Sequence, residues 1–169
     1  MRDARRGVAA PRSRRAPPRC GLIVGMLLAC ATAQVEAQRF SLGNYYSCAI
    51  LYGGVIKCWG WNRNGRLGLG DTSNRGQLAS QMGDNLPVVD LGTGRTAKMI
   101  SASIGGKHTC AVLDDDSVKC WGYNPYGQLG YGDTSTRGDG TGEMGDNLRA
   151  VDLGTYVVKY GRAFLRVIS

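Results

Sequence analysis

The chain has very little histidine, the residue that acts most often as a general acid or base and as a metal ligand. It has one histidine, His108, two phenylalanines, and no apolar run long enough to cross a bilayer comfortably. A nucleophile elbow, a Walker loop and a HExxH segment are all missing. Helical apolar periodicity is missing as well, which argues against a helical bundle. We therefore expect no enzyme activity, no catalytic residues and no cofactor.

The first 37 residues differ in composition from the rest. Residues 1–20 carry seven arginines and one acid, an apolar run covers residues 21–33, and segments usable as cleavage sites lie at 31–33 and 35–37. This order is typical of a secretory signal peptide with a long basic leader. We expect residues 1–37 to be removed. An uncleaved signal anchor, an organelle transit peptide and a later start methionine are the alternatives.

The positive charge of the chain belongs mostly to this leader. Removing its seven arginines and two acids lowers the formal net charge from +8 to about +3. The basic balance is therefore poor evidence for nucleic-acid binding, and we expect no nucleic-acid partner. The expected location is extracellular or the lumen of the secretory pathway, with no membrane span after cleavage. A signal-anchored membrane protein is the alternative.

The remainder of the chain is an internal repeat. Residues 48–93 match residues 110–155 at a constant offset of 62, with 27 of 46 positions identical. A fixed period with this much identity indicates an array of supersecondary units that cannot bury their apolar faces alone. The expected divisions are a leader (1–37), a first repeat (38–93), a second repeat (94–155) and the start of a third, truncated repeat (156–169).

Short strand-like runs separated by Gly, Asp, Asn and Ser predict an all-β array. In the second repeat, the acidic turn at residues 114–116 closes a hairpin. Four strands per unit at this period indicate β-propeller blades, about two of them. The predicted strands of the second repeat are residues 98–104, 108–113, 117–121 and a short fourth at 151–153.

The six cysteines fall into two groups. Cys20 and Cys30 lie in the leader, and the other four form one pair in each repeat. If the hairpin loop is centred on Asp115, the two cysteines of a repeat face each other across neighbouring strands, within disulfide reach. A secretory signal favours oxidation. The predicted cross-strand disulfides are Cys48 with Cys58 and Cys110 with Cys120.

Three segments of the second repeat carry a family resemblance: His-Thr-Cys-Ala-Val-Leu at 108–113, Lys-Cys-Trp-Gly-Tyr-Asn at 119–124, and Gly-Gln-Leu-Gly at 127–130. Together they resemble the regulator of chromosome condensation repeat, over about residues 39–155. The resemblance implies seven-bladed propellers that bind protein partners through their loops. Two copies are fewer than such a ring needs, so we expect an incomplete array and a fragment of a longer protein.

The expected function is a non-enzymatic, secreted or lumenal module that binds an unidentified protein partner. A matched stretch that differs at every position, 77–81 against 139–143, is the candidate contact loop. Its candidate residues are Gln77, Gln81, Asp139 and Glu143. The resemblance leaves three alternatives: part of a guanine-nucleotide exchange factor, a scaffold of a HECT-type ubiquitin ligase, or a secreted enzyme inhibitor like the β-lactamase-inhibitor propeller.

Other candidate sites have simpler explanations. His108 beside two cysteines supplies too few ligands for structural zinc, and we expect it to pack or hydrogen-bond at a strand entry. The acidic stretch after Asp133 fails the EF-hand spacing, so we expect Asx-type turns at Asp71 and Asp133. Trp59 and Trp121 occupy equivalent strand ends, and we expect both to pack between blades.

Overall fold

The computed structural model describes residues 39–102 and 105–154, which form two antiparallel three-stranded sheets. The first sheet comprises β1 (Phe40–Gly43), β2 (Tyr46–Ile50) and β3 (Ile56–Gly60). The second comprises β4 (Ala97–Ala102), β5 (His108–Leu113) and β6 (Val118–Gly122). Short 3₁₀ turns lie at Tyr52–Gly54, Ala79–Gln81, Gly83–Asn85 and Gly145–Asn147. The predicted all-β architecture is confirmed. We call residues 39–93 the first blade and residues 94–154 the second blade.

Two of the predicted divisions, the leader at 1–37 and the third repeat at 156–169, lie outside the described residues. Within the described part of the chain, no helix has the length and apolar character needed to cross a membrane.

The strand register matches the one that the hairpin argument predicts. Cys110 pairs with Cys120 and Val112 with Val118 across β5 and β6, and the first blade repeats the pattern across β2 and β3. The β5–β6 turn is closed by Asp116, whose φ is 67°. Asparagine and aspartate tolerate this left-handed conformation better than most residues, so the acidic turn suits a tight hairpin.

The expected fourth strand at 151–153 is not formed. The backbone nitrogen of Val151 donates to the Val118 carbonyl at 2.7 Å, and the chain then leaves the sheet edge. The reason is an Asx turn, in which the Asp152 carboxylate accepts a hydrogen bond from the Gly154 nitrogen at 2.9 Å. The first blade has the same arrangement. The Val89 nitrogen donates to the Ile56 carbonyl at 2.8 Å, and the Asp90 carboxylate then closes a turn by accepting from the Gly92 nitrogen at 2.9 Å.

One apolar core runs through both blades. It is made of alternate residues of the strands, as a period of two requires, together with leucines of the loops between them. Its fully buried side chains include Cys48, Ile56, Leu67, Ile100, Leu113, Trp121, Leu129 and Leu148. Because side chains of both blades share this core, the described blades are held together by apolar burial as well as by hydrogen bonds.

Candidate interaction surface

A tryptophan from the second blade forms the centre of the joint between the blades. The Trp121 side chain is 0% exposed, and its Nε1 donates to the Arg66 carbonyl at 3.1 Å. The ring lies against Gly68, where an added Cβ would come within 2.6 Å of Nε1. Only glycine permits so close an approach. The prediction that Trp121 packs between blades is confirmed.

The equivalent tryptophan of the first blade is placed differently. Trp59 is partly exposed, and its ring centroid lies 6.0 Å from that of Phe40, which is 49% exposed. The prediction that Trp59 packs between blades is therefore not met among the described residues. Trp59 and Trp121 have the same local sequence, but in the described structure a neighbouring blade covers only Trp121.

Polar side chains reinforce the joint in a way that the sequence did not indicate. The Tyr46 hydroxyl of the first blade donates to the His108 carbonyl of the second at 2.6 Å. The Thr109 hydroxyl bonds the Arg66 carbonyl at 3.0 Å. Burial raises the pKa of Tyr46 and lowers the pKa of His108. His108 thus lies at a strand entry, as predicted. Tyr46, which donates to its carbonyl, occupies the position in the first repeat that His108 occupies in the second.

A second feature missed from the sequence is a buried arginine. Arg66 is 0% exposed, and its guanidinium carbon lies 4.4 Å from the Trp61 ring centroid and 5.7 Å from that of Tyr46. Its Nε donates to the Arg63 carbonyl at 2.8 Å. Burial lowers the pKa of Arg66. One feature of the sequence points to this residue. At the position of Arg66 the second repeat has Gln128, while the residues on either side are the same in both repeats.

The candidate contact loops share one internal support. In the first blade, the Gln81 side-chain oxygen accepts hydrogen bonds from the Gln77 and Leu78 nitrogens at 2.9 and 3.2 Å. In the second, one Glu143 oxygen accepts from three consecutive nitrogens, at positions 138–140, at 2.8–3.1 Å. Gln81 and Glu143 therefore stabilise equivalent loops. A neutral amide oxygen accepts the loop hydrogen bonds in the first blade, and a carboxylate oxygen accepts them in the second.

The surfaces of the two loops differ in chemistry. The first presents Leu78, which is 62% exposed. The second presents Asp139 beside Glu143, and burial together with the Glu143 charge raises the pKa of Asp139. Among the described residues, the hydrogen bonds of Gln81 and Glu143 stay within their own loops. The sequence-predicted contact residues thus lie in two loops, one from each blade, and the Gly138 carbonyl beside the second loop accepts a hydrogen bond from the Gly70 nitrogen of the first blade at 3.1 Å.

The predicted Asx turns precede these loops. The Asp71 carboxylate accepts from the Ser73 nitrogen at 2.8 Å, and Asp133 accepts from the Ser135 nitrogen at 3.0 Å. Asp133 also bonds Arg137 at 2.7 Å, and these hydrogen bonds lower its pKa to about 2. Both carboxylates are engaged within the turn. No group of three His, Cys, Asp or Glu side chains is arranged to hold a metal ion in the described segments.

The four cysteines of the repeats lie at disulfide distance in two pairs. The sulfur atoms of Cys48 and Cys58 are 2.09 Å apart, and those of Cys110 and Cys120 are 2.13 Å apart. Both pairs join directly opposed strand residues. Cysteine pairs of this kind fit an oxidising compartment.

Comparison with known proteins identifies the family of the repeats. Two models of the regulator of chromosome condensation (RCC1) repeat match, one at residues 38–66 and 99–128 and the other at residues 54–112. The ultraviolet-B receptor UVR8 of Arabidopsis thaliana is 34% identical over 103 residues, 61% of this chain and 21% of UVR8. The probable E3 ubiquitin-protein ligase HERC4 of Homo sapiens is 30% identical over 105 residues, 62% of this chain and 9% of HERC4. The chain thus spans about a fifth or less of the length of these relatives.

Solved structures of similar proteins include human WBSCR16, with a TM-score of 0.46 and 22% identity over 61% of this chain and 24% of that chain. Yeast Prp20p, whose binding to Gsp1p and histones has been characterised, has a TM-score of 0.35 and 18% identity over 50% of this chain and 19% of that chain. The repeat models together cover residues 38–128, more than half of the sequence. The chain belongs to the regulator of chromosome condensation (RCC1) repeat family.

Proposed function

We propose that the chain is a non-enzymatic protein-interaction module that acts outside the cell or in the secretory lumen. One observation carries this proposal: the two repeats share a scaffold but differ at all five positions of the contact loop, 77–81 against 139–143. A loop that varies on a constant, internally supported frame is suited to recognition. The acidic loop of the second blade would select a partner with a basic surface.

Charge removal in this loop tests the proposal. The double variant Asp139→Asn/Glu143→Gln removes both charges, and Gln81 shows that an amide supports the same loop. We expect partner binding to weaken about tenfold, on the order of 1.4 kcal/mol. Proteins crosslinked to the wild type and to the variant in secretory-compartment extract would be identified by mass spectrometry, and the affinity of the main partner measured. The matched control is Gln81→Glu in the first blade. Equal binding by the wild type and the double variant would contradict the proposed contact loop.

The leader is tested separately. We expect residues 1–37 to direct a reporter into the secretory pathway and to be removed, so that the mature N-terminus lies near Gln38. The reporter would be located by microscopy, and the N-terminus of the released protein read by mass spectrometry. A matched leader with its apolar run interrupted by charged residues should stay in the cytosol. A wild-type leader found in the cytosol or nucleus would contradict the secreted location.

The family resemblance also leaves two alternative functions, part of a guanine-nucleotide exchange factor or the scaffold of a ubiquitin ligase. The matches to UVR8 and HERC4 cover 21% and 9% of the lengths of those proteins. Purified small GTPases and secreted hydrolases belong in the same binding assay. Capture of a small GTPase that depends on the acidic loop would favour the exchange-factor alternative, and capture of a hydrolase would favour an inhibitor.

A further inference from the structure

The backbone of each contact loop surrounds one side-chain oxygen with hydrogen-bond donors. In the second blade, the nitrogens of residues 138–140 donate to Oε2 of Glu143 at 2.8–3.1 Å. Consecutive N–H groups that point at one oxygen form a nest, a backbone arrangement that binds anions and captures carboxylates. The counterpart in the first blade lies 62 residues earlier, at residues 76–78. We call residues 76–78 the first nest and residues 138–140 the second nest.

The first nest has a weaker internal acceptor than the second. The Gln77 and Leu78 nitrogens donate to Oε1 of Gln81 at 2.9 and 3.2 Å, whereas the Gly76 nitrogen makes no hydrogen bond with another residue in the described part of the chain. The amide oxygen is also neutral, and a hydrogen bond to an ionised carboxylate is roughly twice as strong as one between neutral groups. The first nest therefore holds its acceptor with fewer and weaker bonds.

The two nests begin with the same backbone geometry. Gly76 and Gly138 have φ of 90° and 87°, and an added Cβ at either glycine would lie 3.3 Å from the sulfur of the methionine six residues later. In both blades, the arginine before this glycine forms a bridge to the last residue of the third strand. The framework that holds a carboxylate in the second blade is therefore present in the first blade as well.

A blade packed alongside does not close a nest. The first blade lies against the second nest, because the Gly70 nitrogen donates to the Gly138 carbonyl at 3.1 Å and Gly138 is buried. Asp139, Gly140 and Glu143 are nevertheless partly exposed. A repeat packed in the same way before the first blade would leave the first nest accessible too.

The surroundings of the first nest favour an anionic ligand with an apolar neighbour. Residues 76–82 include no acidic side chain, whereas the second loop carries Asp139 beside Glu143. Leu78, whose nitrogen is one of the nest donors, has a side chain that is 62% exposed. An acidic side chain of a partner can therefore reach the donors while an apolar residue beside it covers Leu78.

We propose that the first nest binds an acidic side chain of a protein partner, which displaces the amide of Gln81 as the acceptor. The bound carboxylate takes the place that the Glu143 carboxylate has in the second blade, and the Gly76 nitrogen becomes the third donor. Gln81 is partly exposed, so its side chain can turn into solvent. The two loops then select opposite charges, an acid at the first and a basic surface at the second. This inference rests on the proposed function only in that the contact loops bind a partner.

Two peptides that differ in one charge are the probes, acetyl-Gly-Leu-Glu-Gly-amide and acetyl-Gly-Leu-Gln-Gly-amide. Isotope-labelled protein purified from the full chain would be titrated with each, and the backbone amide signals followed by NMR. We expect the glutamate peptide to shift the signals of Gly76, Gln77 and Leu78 saturably. The glutamine peptide should bind about tenfold more weakly, because its hydrogen bonds are no longer charge-assisted.

Variants of the two loops test the nest itself. Gln81→Glu gives the first nest an internal carboxylate, as in the second blade, so binding of the glutamate peptide should weaken by about tenfold or more. Ser80→Glu is the matched control, since it adds the same charge at an exposed position whose side chain makes no hydrogen bond with another described residue. Its repulsion should cost no more than about threefold. Asp139→Asn/Glu143→Gln should gain the reverse, a second set of shifts at residues 138–140.

Amide signals outside the two loops that stay unchanged would show that all variants fold. Equal binding of the two peptides, equal losses for Gln81→Glu and Ser80→Glu, or the absence of new shifts at residues 138–140 in the double variant would overturn the proposal. Capture of a partner by the acidic loop is a separate measurement with the opposite charge preference. Failure of the first nest to bind the glutamate peptide is therefore distinguishable from failure of the proposed function.

Discussion

Replacing Trp121 with alanine is expected to lower the free energy of unfolding by about 3–5 kcal/mol, as for other fully buried large side chains. The indole is 0% exposed, fills the joint between the blades, and donates to the Arg66 carbonyl. Its loss removes packing from both blades and leaves that carbonyl with one fewer partner. Chemical denaturation at low protein concentration, followed by circular dichroism, measures the change.

Trp59→Ala is the matched control for this experiment. The residue type, strand position and flanking residues are the same, but Trp59 is partly exposed and contacts its own blade through Phe40. We expect a clearly smaller loss than for Trp121→Ala. Trp121→Phe should lie between the two, because it keeps most of the apolar volume and loses the indole donor. Equal losses for the two alanine variants would show that the joint does not hold the blades together.

Removing a cysteine pair is expected to cost about 2.5–3 kcal/mol, the value that the chain-entropy model gives for so short a loop. Cys110 and Cys120 are 10 residues apart and directly opposed, so their bond pins the register of the β5–β6 hairpin. The double variant Cys110→Ser/Cys120→Ser would be compared with Cys48→Ser/Cys58→Ser, and the melting temperature of each measured.

Peptide mapping of the unreduced protein checks the pairing itself. We expect only the two within-blade pairs, and treatment with a reductant should destabilise the wild type more than either double variant. Free thiols at all four positions, or a bond from Cys48 to Cys110, would contradict the pairing and the oxidising location inferred from it.

The features that the sequence predicts well are local and repeated. The hairpin register follows from the spacing of Cys110 and Cys120 around the acidic turn, and the structure confirms it. The expected fourth strand failed for a local reason too: Asp152 turns the chain away from the sheet edge one residue after Val151 makes its bond. A short apolar run shows strand propensity, whereas an Asx turn depends on which backbone nitrogen the carboxylate reaches.

The features that the sequence predicts poorly depend on neighbours. Trp59 and Trp121 lie in nearly identical segments, yet one is partly exposed and the other buried, because exposure depends on whether another blade lies alongside. The sequence also gives no indication of the hydrogen bonds that stabilise the contact loops. The sequence indicates Gln81 and Glu143 as candidate contact residues because they differ, whereas in the structure both side chains accept hydrogen bonds from backbone nitrogens of their own loops.

The joint around Trp121 also bears on how such a chain changes in length. The joint is formed by a tryptophan from one repeat and the glycines that contact it from the other. Both recur at an offset of 62 residues, so each duplicated segment carries the tryptophan as well as the glycines. Unequal crossing-over in the gene could then insert or delete whole repeats without requiring a new contact surface to arise by point mutation. Selection would act first on the loop at 77–81 or 139–143, because that stretch diverges between copies while the tryptophan and the glycines of the joint stay fixed.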